Sequence, residues 1–129
     1  MTHEIKRIIA AYSSAKIQGE KCVLATVVAL EGSSYRRPGV RMLLMEGGKR
    51  VGAVSGGCVE NEVERQASSV FEDGIPKMMT YDGRYRLGCE GILYILLEPF
   101  QPQKAFLEAF EKAVQKRVDI QVRCHYDKD

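Results

Sequence analysis

The chain has 129 residues, of which 45% are hydrophobic and 28% charged, and its formal net charge is +2. That length suits one domain with a modest core, and the composition excludes a disordered or low-complexity chain. The small net charge gives no reason to expect nucleic acid or a membrane surface as a partner. No apolar run approaches the roughly 20 residues of a spanning helix, and no signal peptide is recognisable. We therefore predict a cytoplasmic protein with reduced thiols.

The N-terminal third of the chain predicts a helix, a strand and a loop. Residues 4–18 place apolar side chains on one helical stripe that ends at Gly19. Residues 22–30, CVLATVVAL, form a nearly continuous apolar run that is typical of a buried strand. The stretch 31–39, EGSSYRRPG, combines glycines and serines with a proline, so it predicts a loop.

A hairpin and a second helix follow. Residues 40–45, VRMLLM, and 50–54, RVGAV, predict two strands. The paired glycines at 47–48 predict the tight turn between them, because such turns need positive φ angles. Apolar residues at helical spacing over 59–71 then predict a helix with one buried face.

The remainder predicts two further strands, a helix and a last strand. Residues 77–81 form a short strand, and the glycine-rich stretch 82–91 forms an irregular loop. Residues 92–98, ILYILLE, are the most hydrophobic strand and are expected at the centre of the sheet. Residues 103–117 are an amphipathic helix, and the alternation over 118–124 predicts a half-exposed strand.

The resulting order is α-β-β-β-α-β-β-α-β. It predicts a single α/β (α+β) domain over residues 1–129, with a mixed β-sheet and flanking helices. The apolar hairpin offers an edge strand to which a second copy can pair, so we expect a homo-oligomer.

The motif V-S-G-G-C-V-E places Cys58 where a strand gives way to a helix. Free N–H groups and the helix dipole favour an anion there, and they also favour the reactive thiolate of a cysteine. Ser55, Gly56 and Gly57 allow a ligand to approach the backbone, with the two glycines supplying N–H donors. The alternative is a plain turn around a small buried thiol.

Arginines cluster around the first predicted loop. Arg36 and Arg37 lie beside serines and glycines, and their guanidinium groups suit a phosphate or another oxyanion. The alternative for these two is a solvated basic loop. Arg41 differs because it begins an apolar strand, where a charge usually has a partner or a ligand.

A second Gly-Cys pair, Gly88-Cys89, lies in the loop DGRYRLGCEG, with Arg84 and Arg86 just before it. Two glycine-flanked cysteines at element boundaries, each with arginines upstream, suggest convergence on one pocket. The alternative is a long connection with an incidental thiol.

Structural roles are expected for several other residues. Cys22 opens a core strand and is predicted to pack in the core. Glu60, Glu62 and Glu64 lie on the first two turns of the second helix, where carboxylates favour the helix N-terminus. We predict that these three are solvated or act as caps.

Three stretches together resemble the N-terminal domain of the XdhC/CoxI family: ATVVALEGSSYRRPGVRMLL, VGAVSGGCVENEV and YDGRYRLGCEGILYILLEP. The resemblance covers about residues 20–100 and keeps the three motifs in order. Members of this family are accessory proteins for the maturation of molybdenum hydroxylases such as xanthine dehydrogenase and aerobic carbon monoxide dehydrogenase.

The resemblance implies a chaperone rather than an enzyme. Such a protein transiently binds the molybdenum cofactor (molybdopterin), protects it during sulfuration with a cysteine desulfurase, and helps to insert it into the hydroxylase apoenzyme. The family's cysteines map onto Cys58 and Cys89, which would contact the cofactor or its molybdenum. Ser55, Gly88 and Arg41 would complete the site, the last by supplying charge.

The chain departs from the family pattern in two respects. The family's second motif usually reads G-C-G-G, whereas this chain has Glu90 after Cys89. A carboxylate there is expected either to weaken an anion site or to mark a different ligand. The family's C-terminal Rossmann-like domain is also not expected within residues 1–129.

Two other functions stay open on the residues alone. A thiol-dependent sulfurtransferase or small redox enzyme would use Cys58 as its nucleophile, which requires a lowered pKa of that thiol. A partner-docking domain without a ligand would leave Cys58 and Cys89 far apart. The distance between these two sulfur atoms therefore discriminates among the functions.

Overall fold

The structure, a computed structural model, describes residues 2–33, 39–53, 57–82, 90–102 and 104–115. Its helices and strands occur in the order α1 (Thr2–Ile17), β1 (Cys22–Ser33), β2 (Arg41–Met45), β3 (Arg50–Gly52), α2 (Gly57–Asp73), β4 (Lys77–Asp82), β5 (Glu90–Pro99) and α3 (Lys104–Gln115). The predicted α+β class and the predicted order of these elements are confirmed. The strand predicted over 118–124 lies outside the described residues.

The strands form one sheet in the order β3-β2-β1-β5-β4. Each pairing among the described residues is antiparallel, so the sheet differs from the mixed sheet expected from the sequence. The reason is that α2 connects β3 to β4, which run in the same direction but lie at opposite edges. This crossover therefore creates no parallel neighbours. The central strand is β1, and the strand predicted at the centre, β5, lies beside it.

The two longest strands, β1 and β5, pair over most of their lengths, from Val23 opposite Pro99 to Ser33 opposite Glu90. Both therefore extend into stretches that were predicted as loops, because backbone pairing continues across Gly32 and Gly91. The register shifts between Val27 and Ala29, which is the mark of a β-bulge.

Helices α1 and α2 cover opposite faces of the sheet, and each face has its own core. The α2-side core joins α2 to alternate residues of the strands: Val23, Ala25, Val27, Met42, Leu44, Val59, Val63, Ala67, Val70, Met79, Tyr81, Leu93, Ile95 and Leu97. The α1-side core contains Ile8, Ala15, Cys22, Leu24, Leu43 and Met45. Because side chains alternate along a strand, odd and even positions of β2 belong to different cores.

The β2–β3 hairpin has the predicted turn. Gly48 adopts a φ of 97°, and its N–H group donates to the carbonyl of Met45 over 2.9 Å. Strand β3 ends at Gly52, two residues earlier than predicted, and it forms one edge of the sheet. Pairing with a second copy at this edge stays a prediction. Within the described ranges, no helix is long and apolar enough to cross a membrane.

Candidate functional site

Three described strand ends lie together at one end of the sheet. Ser33, the last residue of β1, is opposite Glu90, the first residue of β5. Asp82, the last residue of β4, is opposite Ile92 of β5. We call this the motif end, because the connection that contains Arg36 and Arg37 follows Ser33, and the connection that contains Cys89 joins Asp82 to Glu90.

Helix α2 begins towards the motif end. Its last turn is at the opposite end, where the Nζ atom of Lys21, just before β1, lies 3.4 Å from the carbonyl oxygen of Phe71. Since Phe71 is 14 residues from the start of α2 at Gly57 and a helix rises about 1.5 Å per residue, the first turn begins roughly 20 Å away. The start of α2, at Gly57 and Cys58, therefore lies towards the same end of the sheet as the described ends of β1, β4 and β5.

The predicted thiol and glycine site is described in part. Gly57 and Cys58 are the first two residues of α2, so the predicted strand-to-helix junction is confirmed at Gly57. The side chain of Cys58 is outside the described part of the structure, as are Ser55, Gly56, Gly88 and Cys89. The proposed meeting of the two thiols therefore stays a prediction.

Arg41 is buried at the start of β2. Its side chain is on the α1 face of the sheet, because Met42 belongs to the α2-side core and Leu43 to the α1-side core. It is only 6% exposed, and its guanidinium donates to the carbonyl of Gly39 over 3.0 Å. Its backbone N–H donates to Glu4 Oε1 over 2.8 Å. The structure does not bring this side chain to the face on which α2 lies.

Two polar residues of the neighbouring strands share the α1 face with Arg41. Thr26 is its register partner on β1, and the Thr26 hydroxyl is buried without a hydrogen-bond partner among the described residues. Burial raises the pKa of the Glu98 carboxyl on β5, and the positive charge of Arg41 opposes that rise. A buried arginine and a half-buried glutamate thus share one electrostatic environment, with β1 between their strands.

The carboxylates at the start of α2 are not equivalent. Glu60 was predicted to be solvated or to act as a cap, but it is only 6% exposed. Glu62 bonds to Arg65 within the helix, and Glu64 lies 3.3 Å from Arg50 of β3. All three carboxylates lie on the first two turns of α2, so the sequence did not distinguish the buried Glu60 from Glu62 and Glu64.

Cys22 lies at the other end of the sheet. It is 6% exposed, and burial, followed by the charge of Glu20, raises its thiol pKa. This confirms the predicted packing role. A groove of about 440 Å³ opens beside it, between the last turn of α1, the last turn of α2 and Phe100. Across the residues that the structure describes, no three His, Cys, Asp or Glu side chains are grouped to hold a metal ion.

The chain is similar in sequence to two bacterial proteins. It is 37% identical over 93 residues to a protein of Bacillus subtilis that is named as a probable xanthine dehydrogenase subunit, a match that covers 66% of this chain and 28% of that protein. It is 26% identical over 122 residues to the molybdenum cofactor insertion chaperone PaoD of Escherichia coli, covering 91% of this chain and 38% of that protein.

A solved structure shares the fold. The crystal structure of a xanthine dehydrogenase from Bacillus halodurans superposes with a TM-score of 0.66 at 29% identity, over 84% of this chain and 34% of that one. The chain thus spans between 28% and 38% of the length of these relatives. The profile of the XdhC and CoxI family matches residues 16–82, which is about half of the sequence. The chain belongs to the XdhC and CoxI family.

Proposed function

We propose that the protein is an accessory chaperone that transiently binds the molybdenum cofactor at the motif end. It assists sulfuration of the cofactor with a cysteine desulfurase and its insertion into a hydroxylase of the xanthine dehydrogenase or carbon monoxide dehydrogenase type. The observation that supports the proposal is the topology. Ser33 is paired with Glu90, and α2 starts at Gly57 towards the same end of the sheet, so the described residues that flank the three motifs share one end.

The described chemistry at this end fits an anionic, sulfur-containing ligand in two respects. The first turn of α2 has N–H groups without helical acceptors, and Gly57 has no side chain to block an approaching phosphate. The adjoining Cys58 offers a soft thiolate ligand, which the helix start favours. Gly56, Ser55, Gly88 and Cys89 would complete this surface.

The positive charge of the site has to come from the motif segments. The described ends of the strands carry carboxylates, Glu31 and Asp82, and Arg41 is directed to the other face. We assign the phosphate contact to the arginines of the two loops, which are Arg36, Arg37, Arg84 and Arg86. The relatives support this class of ligand, since PaoD is named as an insertion chaperone for the molybdenum cofactor.

Anaerobic cofactor retention tests the proposal. The purified chain is mixed with freshly released molybdenum cofactor and desalted, and the retained molybdenum and pterin are quantified. Wild type should retain both, and Cys58→Ser and Cys89→Ser should each retain much less. Cys22→Ala is the matched control, because Cys22 is buried at the opposite end of the sheet and should leave retention unchanged.

Two results would contradict the proposal. Wild type that retains neither molybdenum nor pterin would rule out holding of the cofactor by this chain. Equal retention by wild type and both cysteine variants would rule out the thiols as ligands. Insertion is tested separately, by adding the loaded chain to hydroxylase apoenzyme with and without a cysteine desulfurase and by following the recovery of hydroxylase activity.

A further inference from the structure

Arg41 contacts or closely approaches three separate parts of the fold, and its charge acts on a fourth. Its guanidinium bonds to the carbonyl of Gly39, at the end of the first motif segment. Its backbone N–H bonds to Glu4 in the first turn of α1. Its charge acts on Glu98 of β5. Its carbonyl oxygen would lie 2.7 Å from a Cβ atom at Gly52, where β3 ends just before the Cys58 motif.

We call Gly39 and Gly52 the anchors of two motif segments, since Gly39 directly follows residues 34–38 and Gly52 stands two positions before residues 54–56. Both have positive φ angles, of 98° and 87°, so each marks a point where the backbone changes direction. The Gly39 anchor is also tied to β1, because its N–H donates to Val27 over 2.7 Å and the Val27 N–H donates to Val40 over 2.9 Å.

We propose that Arg41 is a positioning residue, whose buried side chain and backbone hold the Gly39 and Gly52 anchors against α1 and β1. Arg41 therefore acts on the candidate site through the backbone and does not contact the ligand. The expected effect of Arg41 on ligand binding rests on the proposed function, whereas the anchoring of the backbone is independent of that function.

The burial of Arg41 supports this role. A buried guanidinium needs fixed acceptors, and the Gly39 carbonyl supplies one here, while Arg41 as a residue is only 6% exposed. The planar fork of arginine suits two partners at once, whereas lysine offers a single ammonium group. Replacing the side chain removes the Gly39 bond and the positive charge that acts on the Glu98 carboxylate.

Amide hydrogen exchange measured by NMR tests the anchoring. In Arg41→Met, the amides of Gly39 and Val27 should exchange roughly tenfold faster than in wild type, since a hydrogen bond to a charged group shifts a local opening equilibrium by about that factor. Arg41→Lys should lie between the two and provides a variant that keeps the charge. Arg50→Met is the matched control, because Arg50 belongs to the same hairpin but is exposed.

The Glu4 contact has its own pair of variants. Glu4→Gln keeps an oxygen acceptor for the Arg41 N–H and should leave the exchange of that amide close to wild type. Glu4→Ala removes the acceptor and should accelerate it severalfold. If the Arg41 amide exchanges at the same rate in Glu4→Ala and Glu4→Gln, the hydrogen bond from Arg41 to Glu4 of α1 has no positioning effect.

Cofactor retention, measured on the same variants, separates this inference from the proposed function. Faster exchange at Gly39 and Val27 in Arg41→Met, together with lower retention, supports positioning. Lower retention with unchanged exchange would make Arg41 a direct ligand and overturn the inference. Faster amide exchange with full cofactor retention would show that anchoring by Arg41 does not affect the candidate site, and it would also overturn the inference. If wild type itself retains nothing, the proposed function fails, and the exchange rates alone decide the anchoring.

Discussion

Gly52 approaches Arg41 so closely that no side chain fits between them: a Cβ atom at Gly52 would lie 2.7 Å from the Arg41 carbonyl oxygen. Gly52 also has a φ of 87°, which L-residues with side chains rarely adopt. Two independent constraints therefore require glycine at the end of β3, one conformational and one steric.

Gly52→Ala should consequently be more destabilising than another glycine replacement of the same conformational type. Gly74 also has a positive φ, of 71°, but nothing lies within 4 Å of the position that a Cβ atom would occupy there. We expect Gly74→Ala to cost about 1–2 kcal/mol of unfolding free energy from the backbone alone, and Gly52→Ala roughly 1–3 kcal/mol more from overpacking. Urea unfolding of both variants measures this difference, and equal costs would show that the steric contact relaxes freely.

The α2-side core should carry most of the packing energy. Leu97 is fully buried on β5, so Leu97→Ala should lower the unfolding free energy by about 2–5 kcal/mol. Ile17→Ala provides the control, because Ile17 is 88% exposed and its replacement should change stability by no more than about 0.5 kcal/mol. Thermal and urea unfolding test both. A similar loss of unfolding free energy in the two variants would contradict this prediction and would indicate that Ile17 is buried against a second molecule.

Glu98 should make stability depend on pH. Burial raises its folded pKa, so its contribution to stability is fully present below the ordinary glutamate pKa of about 4.3 and is lost as pH rises through the folded value. Glu98→Gln mimics the protonated carboxyl, so this variant does not lose that contribution to stability as the pH rises. The unfolding free energy of Glu98→Gln minus that of wild type should therefore increase as pH is raised above about 4.3.

Urea unfolding at several pH values between about 4.5 and 7.5 tests the dependence on Glu98, in a range that includes the region above the ordinary glutamate pKa. Glu108→Gln, on the exposed side of α3, serves as the control for removing a carboxylate charge. A difference between Glu98→Gln and wild type that stays constant or decreases with pH would contradict the assigned direction of the pKa. The opposing charge of Arg41 predicts a larger pH effect in an Arg41→Met background.

The Cys22 thiol should react slowly in the native chain. The thiolate is the reactive form, and burial both raises the pKa of this thiol and shields its sulfur. Alkylation with iodoacetamide, followed by mass spectrometry of the peptide that contains Cys22, should be at least about a hundredfold slower in native protein than in urea, since it requires local opening. Comparable rates in both states would mean that the first strand is not stably paired.

Much of the fold was predictable because most elements carry their own local signal. The apolar run of β1 and the paired glycines of the hairpin predicted elements that the structure contains. The ends of β1 and β5 were not predictable in the same way. Glu-Gly-Ser is typical of a loop, and only its pairing with residues some 60 positions away makes it a strand.

The site was less predictable than the fold, for a reason visible in β2. All five residues of RMLLM are buried, so the alternation that normally distinguishes the two faces of a strand is hidden. The sequence therefore showed that Arg41 needs a partner but not which face it occupies. The burial of Glu60, which is only 6% exposed, was likewise not apparent from its position in the helix.

The pairing of β1 with β5 also affects how the chain folds while it is being synthesised. The residues of β1 find β2 within about twenty positions, but their other neighbour is synthesised roughly 60 to 75 residues later. During that interval one edge of a strongly apolar, β-prone strand has no partner, which is a condition that favours aggregation. Yield in a cell should therefore respond to translation speed and to general chaperones more than the stability of the finished domain suggests.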